Sequence, residues 1–461
     1  MSEMTGSEST QPARLLTASA AVALIVGIVI GAGIFKTPAL VAGISGDAGW
    51  ALTIWVVGAL ISMAGALCYA ELCTAYPHAG GDYHFLRRAF GRDLAFMYAW
   101  ARATIINTGS IALLAFVFGD YFSTLVPLGT HSSAIWALIV VLMLTMVNIA
   151  GIHASTGLQM LLLVLEVLGL LAVAVAGLFF GDPAAPATLS WFDKTPGAGA
   201  LGLCLVFVLL TFGGWNESAY VSAEVKGGPR TMVGVIIISM LALTAIYLLV
   251  NLALMWGLGQ QGLAGSKTAA SSLVGMVFGP WAEKALGLSV AIAALTSINA
   301  TMIVGARTNF ALGRDWDSLH ALGQWQTQVG APRKALWAQA LISIVLVLLG
   351  MQEADGFSAM VEFTAPVFWG FLFLVGVGVM WLRQTDPHTV RPFKVPLYPL
   401  LPLVFCGACA WLTYSSVNYA ISQKAIHVSG WLIVSGVVAL LLLRWRERRF
   451  DARRAAAVQA P

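Results

Sequence analysis

Two short glycine-containing interruptions, each inside a long apolar run, have the residue types and spacing that could do chemistry. The first is Gly31-Ala32-Gly33 within GIVIGAGIF, and the second is Gly213-Gly214 within FVLLTFGGWNESAYVSAEV. Glycine weakens a helix, so each interruption predicts a point where an apolar helix unwinds and leaves backbone groups unpaired. Free N–H groups attract an anion and free C=O groups attract a cation, so the two breaks together fit an α-amino acid. Other small zwitterions fit the same geometry.

One interruption alone is a weak signal, because glycine is common in membrane helices and usually serves close packing. Two interruptions at corresponding places in the two halves of a chain are instead the sequence signature of a transporter binding site near the membrane midplane. The pair therefore favours a binding cavity over simple packing.

Polar side chains inside apolar runs are the other candidates. Asn107 and Asn299 lie in polar clusters of two such runs, and Glu166 is a single carboxylate within LLLVLEVLGLL. An ionisable residue inside a membrane is costly and marks a functional site by default. Two alternatives stay open. The asparagines are more often interhelical hydrogen-bonding residues than ligands, and Glu166 could simply pair with Arg102 or Arg307.

The elements that must position these residues are membrane-spanning helices. Of 461 residues, 59% are hydrophobic and 10% are charged, with a mean hydropathy of +0.84. No soluble core needs so much apolar surface. A span needs about 20 apolar residues, so we predict an all-α integral membrane protein with twelve transmembrane helices at roughly 15–43, 49–75, 93–118, 132–151, 157–180, 199–225, 232–257, 285–312, 335–350, 357–382, 398–418 and 427–445.

The order of these spans predicts a five-plus-five inverted repeat. Spans 1 and 6 both contain a break, spans 3 and 8 are both polar, and an odd number of spans per repeat inverts the second copy. The predicted organisation is a tail at 1–14, a transport core at 15–384, two further spans at 385–446 and a basic tail at 447–461. Between spans 2 and 3, the basic stretch HFLRRAFGR, with Phe85, Leu86 and Phe90 interleaved, predicts a short segment that lies along the cytoplasmic surface of the membrane.

Charge distribution predicts the orientation. Basic residues concentrate on the side that holds both termini, so the positive-inside rule places both termini in the cytoplasm of a multi-pass protein of the inner cell membrane. The first 13 residues form a poor basic n-region, and the apolar run after them is too long for a signal peptide, so we predict that the first span is retained. The basic residues are spread over short loops, and we expect no nucleic-acid partner.

Cysteine and histidine usage predicts no cofactor and no metal. The five cysteines lie in or at the edge of apolar runs, which argues against a disulfide framework. Cys406 and Cys409 form a C-x-x-C without further cysteine or histidine nearby, a pattern more typical of packing on one helix face than of a metal site.

Four motifs in the right order carry a family resemblance. GIVIGAGIF, AYPHAGGDYHFLRRAFG, FGGWNESAYVSAEVKGGPR and RPFKVPLYP span nearly the whole chain. Together they resemble the amino acid–polyamine–organocation (APC) superfamily, closest to its bacterial L-amino acid transporter branch. The resemblance implies a LeuT-like fold and sodium-independent amino acid transport or exchange. No heavy-chain partner is evident from the sequence.

The resemblance also implies substrate-binding positions. The family's first break corresponds to the stretch from Ile30 through Gly31, Ala32 and Gly33 to Ile34, whose backbone would receive the substrate carboxylate. The second corresponds to Phe212, Gly213, Gly214 and Trp215, whose carbonyls would hold the ammonium and whose rings would face the side chain. Together with Asn107 and Asn299, these residues form the predicted substrate site.

Four residues are candidates for coupling or gating. Leu210 stands near the position at which eukaryotic members of the branch carry an aromatic gate residue. Glu217 stands near the position at which some bacterial exchangers of the superfamily carry a proton-sensing glutamate. Glu166 lies at or beside the position of a lysine that replaces sodium in related transporters, and Arg102 is its candidate partner. A carboxylate cannot imitate a fixed cation but can take up a proton, so we hypothesise proton coupling through Glu166.

The sequence gives weaker support to other classes of function. The string Gly43-Ile44-Ser45-Gly46 matches a serine-protease pattern, but the histidines lie in loops or near span ends, so the pattern does not favour an enzyme. An amino acid sensor with a transporter fold stays open. For the substrate, neutral L-amino acids come first, and cationic amino acids or polyamines come second.

Overall fold

A computed structural model describes residues 17–78, 80–150, 156–182, 185–217, 227–316, 319–324 and 332–458. All regular secondary structure in these ranges is helical, and they contain no strand, so the predicted all-α class is confirmed. The predicted tail at 1–14 lies outside the described residues.

The helices follow the predicted order. A π-helical segment, Arg102–Ile106, joins α5 to α6, and short 3-10 turns occur at Ala185–Thr188 and Trp215–Glu217. The α-helices are α1 Ala18–Val29, α2 Gly33–Ser45, α3 Ala48–Ala75, α4 Gly81–Phe90, α5 Arg92–Ala101, α6 Asn107–Ser123, α7 Ser132–Ile149, α8 Thr156–Phe179, α9 Ala198–Thr211, α10 Gly228–Ala264, α11 Ala269–Phe278, α12 Pro280–Asp315, α13 Arg333–Gly350, α14 Gly356–Thr385, α15 Leu400–Ser422 and α16 Ile426–Val458.

Ten helical segments in the described ranges are long and apolar enough to cross a membrane. Their outward faces expose large apolar side chains, among them Leu60 at 66% and Phe179 at 75%. Such a surface is unfavourable in water and suits lipid. The chain is therefore a multi-pass membrane protein. Predicted spans 1 and 6 are not among the ten, because α1, α2 and α9 are each too short.

Most predicted bounds agree with the helices to within a few residues, and the larger differences have local causes. Span 7 was expected to end near residue 257, whereas α10 bends at Gly259, with φ of 69°, and continues to Ala264. Only glycine adopts that left-handed conformation readily. The basic tail predicted from residue 447 is helical as far as Val458, where alanine and arginine favour a helix.

Helix α4, which contains most of the predicted surface segment, lies across the ends of α12 and α14. The Tyr83 hydroxyl donates to Asp315 Oδ2 at 2.7 Å, and Arg87 Nη1 donates to the same oxygen at 3.1 Å. Arg88 Nη2 donates to Asp386 Oδ2 at 2.7 Å, directly after α14. We call this end of the bundle the α4 end. Side chains of α4 hold two long helices together there.

A buried carboxylate fixes the same end from inside. Glu71 on α3 is 2% exposed and accepts two hydrogen bonds from the Arg383 guanidinium of α14. It also accepts from the Val395 backbone N–H at 2.7 Å, and Arg391 Nε lies 3.5 Å away. Glu71 therefore joins α3, the end of α14 and the segment before α15 through one charged centre.

Replacing Glu71 by glutamine is expected to destabilise the bundle by about 3 kcal/mol, because it leaves buried guanidinium charge without its countercharge. The measurement is the thermal unfolding midpoint of the purified protein in detergent. Glu353→Gln, at an exposed position before α14, is the control and should leave the midpoint unchanged. Equal midpoints for the two variants would contradict the prediction.

Candidate functional site

The first predicted break is present in the structure. Helix α1 ends at Val29 and α2 begins at Gly33, so Ile30, Gly31 and Ala32 lie between two helices. The Gly31 N–H donates to the Val29 carbonyl at 2.7 Å, a tight turn that an α-helix does not make. Ile30 and Ala32 are fully buried. The interruption is thus surrounded by protein and is not an end frayed into solvent.

Helix α2 starts with backbone donors aimed into the break. Ala32 precedes it in helical conformation and makes no side-chain capping bond. The first N–H groups of a helix have no partner within the helix, and they form the positive end of its dipole. The turn that begins at Gly33 and Ile34 can therefore receive an anionic group such as a carboxylate.

The second predicted break is also present, and its described part is the C-terminal end of the helix that leads into it. Helix α9 ends at Thr211, and Phe212 to Gly214 form a turn before the short 3-10 segment at Trp215. Gly214 has φ of 102°, in the left-handed region that favours glycine. Residues 218–226 lie outside the described part of the chain, so only the α9 side of this break is described.

The two breaks meet at the hydroxyl of Tyr247 on α10. Tyr247 Oη donates to the carbonyl of Val29, the last residue of α1, at 2.8 Å. The same oxygen lies 3.2 Å from the carbonyl of Thr211, the last residue of α9. Both are helix-terminal carbonyls that lack a partner within their own helix. Tyr247 therefore brings the electronegative ends of the two broken helices to one point.

A second contact joins the breaks one turn away. The hydroxyls of Thr37 on α2 and Thr211 on α9 lie 2.6 Å apart. A Cβ built on Gly33 would lie 3.5 Å from Thr211 Oγ1, at ordinary contact distance, so the start of α2 packs directly against the end of α9. The donors at the start of α2 and the carbonyls at the end of α9 therefore lie next to each other. This arrangement can hold an anion and a cation side by side, which is the charge pattern of a zwitterion.

Aromatic rings pack around the second break. The Phe212 ring lies 5.9 Å from Trp55 and 5.0 Å from Tyr247, measured between centroids. The Trp215 ring lies 5.1 Å from Tyr69. Both Phe212 and Trp215 are almost fully buried. Their part in recognising a substrate side chain stays a prediction, since these contacts also serve packing.

The space beside the breaks is small. A cavity of about 10 Å³ is bounded by Ser62, Leu209, Gly213, Trp215 and Trp369, and this volume holds roughly one water molecule. A much larger groove of about 860 Å³ lies between α1, α8 and α10. Its walls are almost wholly apolar, so it suits a lipid chain and not a zwitterion.

Glu166 on α8 is buried beside α12. It is 6% exposed, and its Oε1 is 3.4 Å from the Thr296 hydroxyl of α12. Thr296 donates its proton to the Ala293 carbonyl at 2.8 Å, so the contact with Glu166 is weak. One turn earlier, Leu163 packs on Gly27 of α1. The described residues place no cation within ion-pair distance of Glu166.

Arg102 does not pair with Glu166, which removes one alternative left open by the sequence. Its Nη1 donates to the Tyr98 hydroxyl at 2.8 Å and lies 4.0 Å from Asp82 Oδ2, toward the α4 end. Arg102 begins the π-helical segment, whose wider turn changes the direction of side chains relative to an α-helix. The Arg307 side chain lies outside the described residues.

The two candidate asparagines make contacts away from the breaks. Asn299 Oδ1 accepts from Asn148 Nδ2 at 2.7 Å, which joins α12 to α7. A Cβ on Gly305 would lie 2.6 Å from Asn107 Nδ2 and 2.0 Å from Gln339 Oε1, so Asn107 lies between α12 and α13. Their predicted role as substrate ligands has no support from these contacts and stays a prediction.

Of the two gating candidates near the second break, Leu210 is described in full and Glu217 only in its backbone. Leu210 lies in the last turn of α9, and its carbonyl accepts from the Gly213 N–H at 3.0 Å. The backbone of Glu217 ends the 3-10 turn, but its side chain lies outside the described part of the chain.

The residue of the site that the sequence did not predict is Tyr247. Its only signal was a lone phenol within an apolar span, where a buried hydroxyl needs a partner.

Known amino acid transporters share sequence with this chain along most of its length. A family model described as amino acid permease matches residues 16–442. The serine/threonine exchanger SteT of Bacillus subtilis (strain 168) is 26% identical over 391 residues, 83% of this chain and 86% of the exchanger. The mouse Asc-type amino acid transporter 1 is 29% identical over 446 residues, 92% of this chain and 80% of that protein.

A further mouse relative, the large neutral amino acids transporter small subunit 2, is 28% identical over 405 residues, 83% of this chain and 73% of that protein. The family model covers nearly the whole chain, including both breaks, nine of the ten long apolar segments in full and most of the tenth, Ile426–Glu447. The chain therefore belongs to the amino acid permease family of the APC superfamily, whose members are transporters and not enzymes.

Proposed function

We propose that the chain is a secondary-active transporter that moves neutral L-amino acids across the membrane by alternating access. The observation that carries this proposal is the meeting of the two helix breaks at the Tyr247 hydroxyl. In the proposed bound state, the first turn of α2 receives the substrate carboxylate. The carbonyls of Val29 and Thr211 hold its ammonium group.

We infer a LeuT-like architecture with twelve spans in a five-plus-five inverted repeat. Counterpart helices of the two repeats contact each other, namely α2 with α9, α3 with α10, α6 with α12 and α7 with α13. A two-fold pseudo-axis through the bundle brings counterparts together in this way, which supports the repeat. In this topology the α4 end faces the cytoplasm, together with both termini, in the inner cell membrane.

Neutral substrates are favoured by the names of the relatives. One is a serine/threonine exchanger, and another is a transporter of large neutral amino acids. We propose exchange of such amino acids as the principal activity, with cationic amino acids or polyamines as the second candidate. The large neutral relative is named a small subunit, whereas we propose that this chain acts without a heavy-chain partner.

The test is flux through purified protein in liposomes. Vesicles preloaded with unlabelled serine, leucine, arginine or putrescine are mixed with the labelled form outside, and uptake is followed against empty vesicles. The proposal expects stimulated uptake of serine or leucine. Binding of these amino acids without flux would support the sensor instead. Stimulation by arginine or putrescine alone would support the second candidate.

We further propose that Glu166 couples transport to protons. Among the described residues, its buried carboxyl group makes only a weak neutral contact, with Thr296, so a proton is the partner that would neutralise its charge in this apolar setting. Protonation would then accompany rearrangement of α8 against the helices that it contacts, α10, α11 and α12.

Glu166→Gln is expected to flatten the pH dependence of uptake, because the amide resembles the protonated carboxyl and no longer titrates. Initial rates in proteoliposomes would be compared between acidic and neutral pH. The control is Glu353→Gln, which changes an exposed carboxylate before α14 and should leave the pH dependence of uptake unchanged. If the Glu166→Gln profile matches that of the parent protein, the coupling proposal is wrong.

A further inference from the structure

The last helix, α16, is the least buried of the ten long apolar segments. Within the described ranges it packs on α5, α14 and α15. Large apolar side chains recur on its outward face at intervals of three and four residues, namely Trp431, Val434, Val438 and Leu442, which are 49–72% exposed. This face of α16 therefore contacts the acyl chains of the bilayer.

The same face becomes basic where the helix leaves the membrane. Arg446 follows Leu442 by four residues, and Arg449 and Arg453 follow Arg446 by three and seven, so all three share the face of Leu442. The helix continues to Val458, which keeps this register. Arg446 is exposed and forms no ion pair with the described residues. We call these three arginines the basic stripe.

Charged side chains on the other side of α16 bind protein. Arg92 Nη2 on α5 donates to Glu447 Oε1 at 2.9 Å. Arg444 Nε donates to Asp93 Oδ1, also on α5, at 3.0 Å. Both pairs attach α16 to the start of α5 at the α4 end. The basic stripe lies at least about 100° around the helix axis from Arg444 and Glu447, so these pairs leave it on the side of the lipid.

The rise of α16 sets the depth of the basic stripe. The apolar segment Ile426–Glu447 has 22 residues, which at about 1.5 Å per residue cross about 30 Å of hydrocarbon. The headgroup layer beyond it is about 5–7 Å thick. Arg446 and Arg449 therefore lie at the level of the headgroups, and Arg453 lies at their outer limit. Trp445, which is 51% exposed, fits the same level, because indole rings favour the membrane interface.

We propose that the basic stripe of α16 binds the phosphate groups of anionic phospholipids in the leaflet at the α4 end. A guanidinium pairs with two phosphate oxygens at once, and the lipid presents these oxygens at the depth of the stripe. The acyl chains of the same lipid lie along the apolar part of the face. A zwitterionic lipid carries the same phosphate beside a compensating ammonium, so the stripe selects the anionic lipid. This site is separate from the breaks and does not depend on transport.

The experiment uses Trp445 as a local reporter of the lipid beside the stripe. The protein is reconstituted in phosphatidylcholine vesicles that contain brominated phosphatidylglycerol or brominated phosphatidylcholine, because bromine quenches indole fluorescence on contact. The chain has 16 tryptophans, so the Trp445 component is the quenching that Trp445→Phe removes. We expect brominated phosphatidylglycerol to quench this component about fivefold more effectively than brominated phosphatidylcholine.

Two double variants with the same net charge make the result decisive. Arg446→Gln combined with Arg449→Gln removes two charges from the stripe, and we expect the two brominated lipids to quench Trp445 about equally in it. Arg448→Gln combined with Arg454→Gln removes two charges from other faces of the same helix and should keep the preference of the parent protein. Glutamine and arginine have similar helix propensities, so both variants keep the helix.

Equal quenching by the two lipids in the parent protein would overturn the proposal and would leave the stripe for an acidic protein partner. A preference that survives in the stripe variant would also overturn it. An equal loss of preference in both double variants would reduce the effect to a general attraction of the basic segment and overturn the assigned site. The readout needs no amino acid flux, so failure of the proposed function would not alter the result.

Discussion

Gly31→Leu is expected to reduce amino acid uptake by on the order of 100-fold, because a misplaced binding group costs rate steeply. Gly31 lies in the first break, and a Cβ built there would sit 3.5 Å from Ser297 Oγ of α12, at ordinary contact distance. The remaining carbons of leucine reach beyond that contact. Either α12 or the donors at Gly33 must then shift. The measurement is the initial rate of uptake by proteoliposomes.

The control for this prediction is another glycine in a membrane-spanning helix. A Cβ on Gly407 of α15 meets no atom within 4 Å, so Gly407→Leu should leave uptake near the parent value. Gly31→Ala adds only the contacting carbon and should lose far less activity than Gly31→Leu. Thermal unfolding of each variant separates lost function from lost folding. Uptake by Gly31→Leu within about twofold of the parent would contradict a site at this break.

The positions of the breaks could be predicted because their causes are local. Gly31 and Gly33 weaken the helix through their own backbone, and Gly214 adopts a conformation that disfavours other residues. The helix bounds could also be predicted, since an apolar run of sufficient length in lipid has to pair its backbone internally. Neither inference needs knowledge of which helices are neighbours.

The partners of the polar side chains could not be predicted, because they depend on packing between distant segments. Arg102 was a candidate partner for Glu166 and instead bonds Tyr98. Sequence periodicity assumes 3.6 residues per turn, whereas the π-helical segment at Arg102–Ile106 departs from that spacing. Asn299 was a candidate ligand, and the structure shows it bonded to Asn148 on another helix. No local pattern distinguishes these outcomes.

Tyr247 illustrates the same limit for the candidate site itself. The residue lies in an apolar stretch about 35 positions after the second break and more than 200 after the first. Only the folded bundle brings its hydroxyl to both helix ends. A residue that joins two breaks has no motif of its own, although it determines how their carbonyls are presented.

Tyr247→Phe is therefore the second prediction with a large expected effect. It deletes the hydroxyl near the Val29 and Thr211 carbonyls but keeps the ring that packs on Trp55 and Phe212. The Val29 carbonyl keeps its bond from the Gly31 N–H, so the loss falls on the Thr211 carbonyl. A buried acceptor left unpaired costs about 1–3 kcal/mol, and the two helix ends lose the hydroxyl that they share. We expect slower exchange, by roughly tenfold or more, with a raised KM, because each tenfold corresponds to about 1.4 kcal/mol.

Tyr414→Phe, at a position 62% exposed on α15, is the control and should exchange amino acids at the rate of the parent protein. Unaltered exchange in Tyr247→Phe would mean that the two breaks act without this connection, and the proposed ammonium site would have to lie elsewhere.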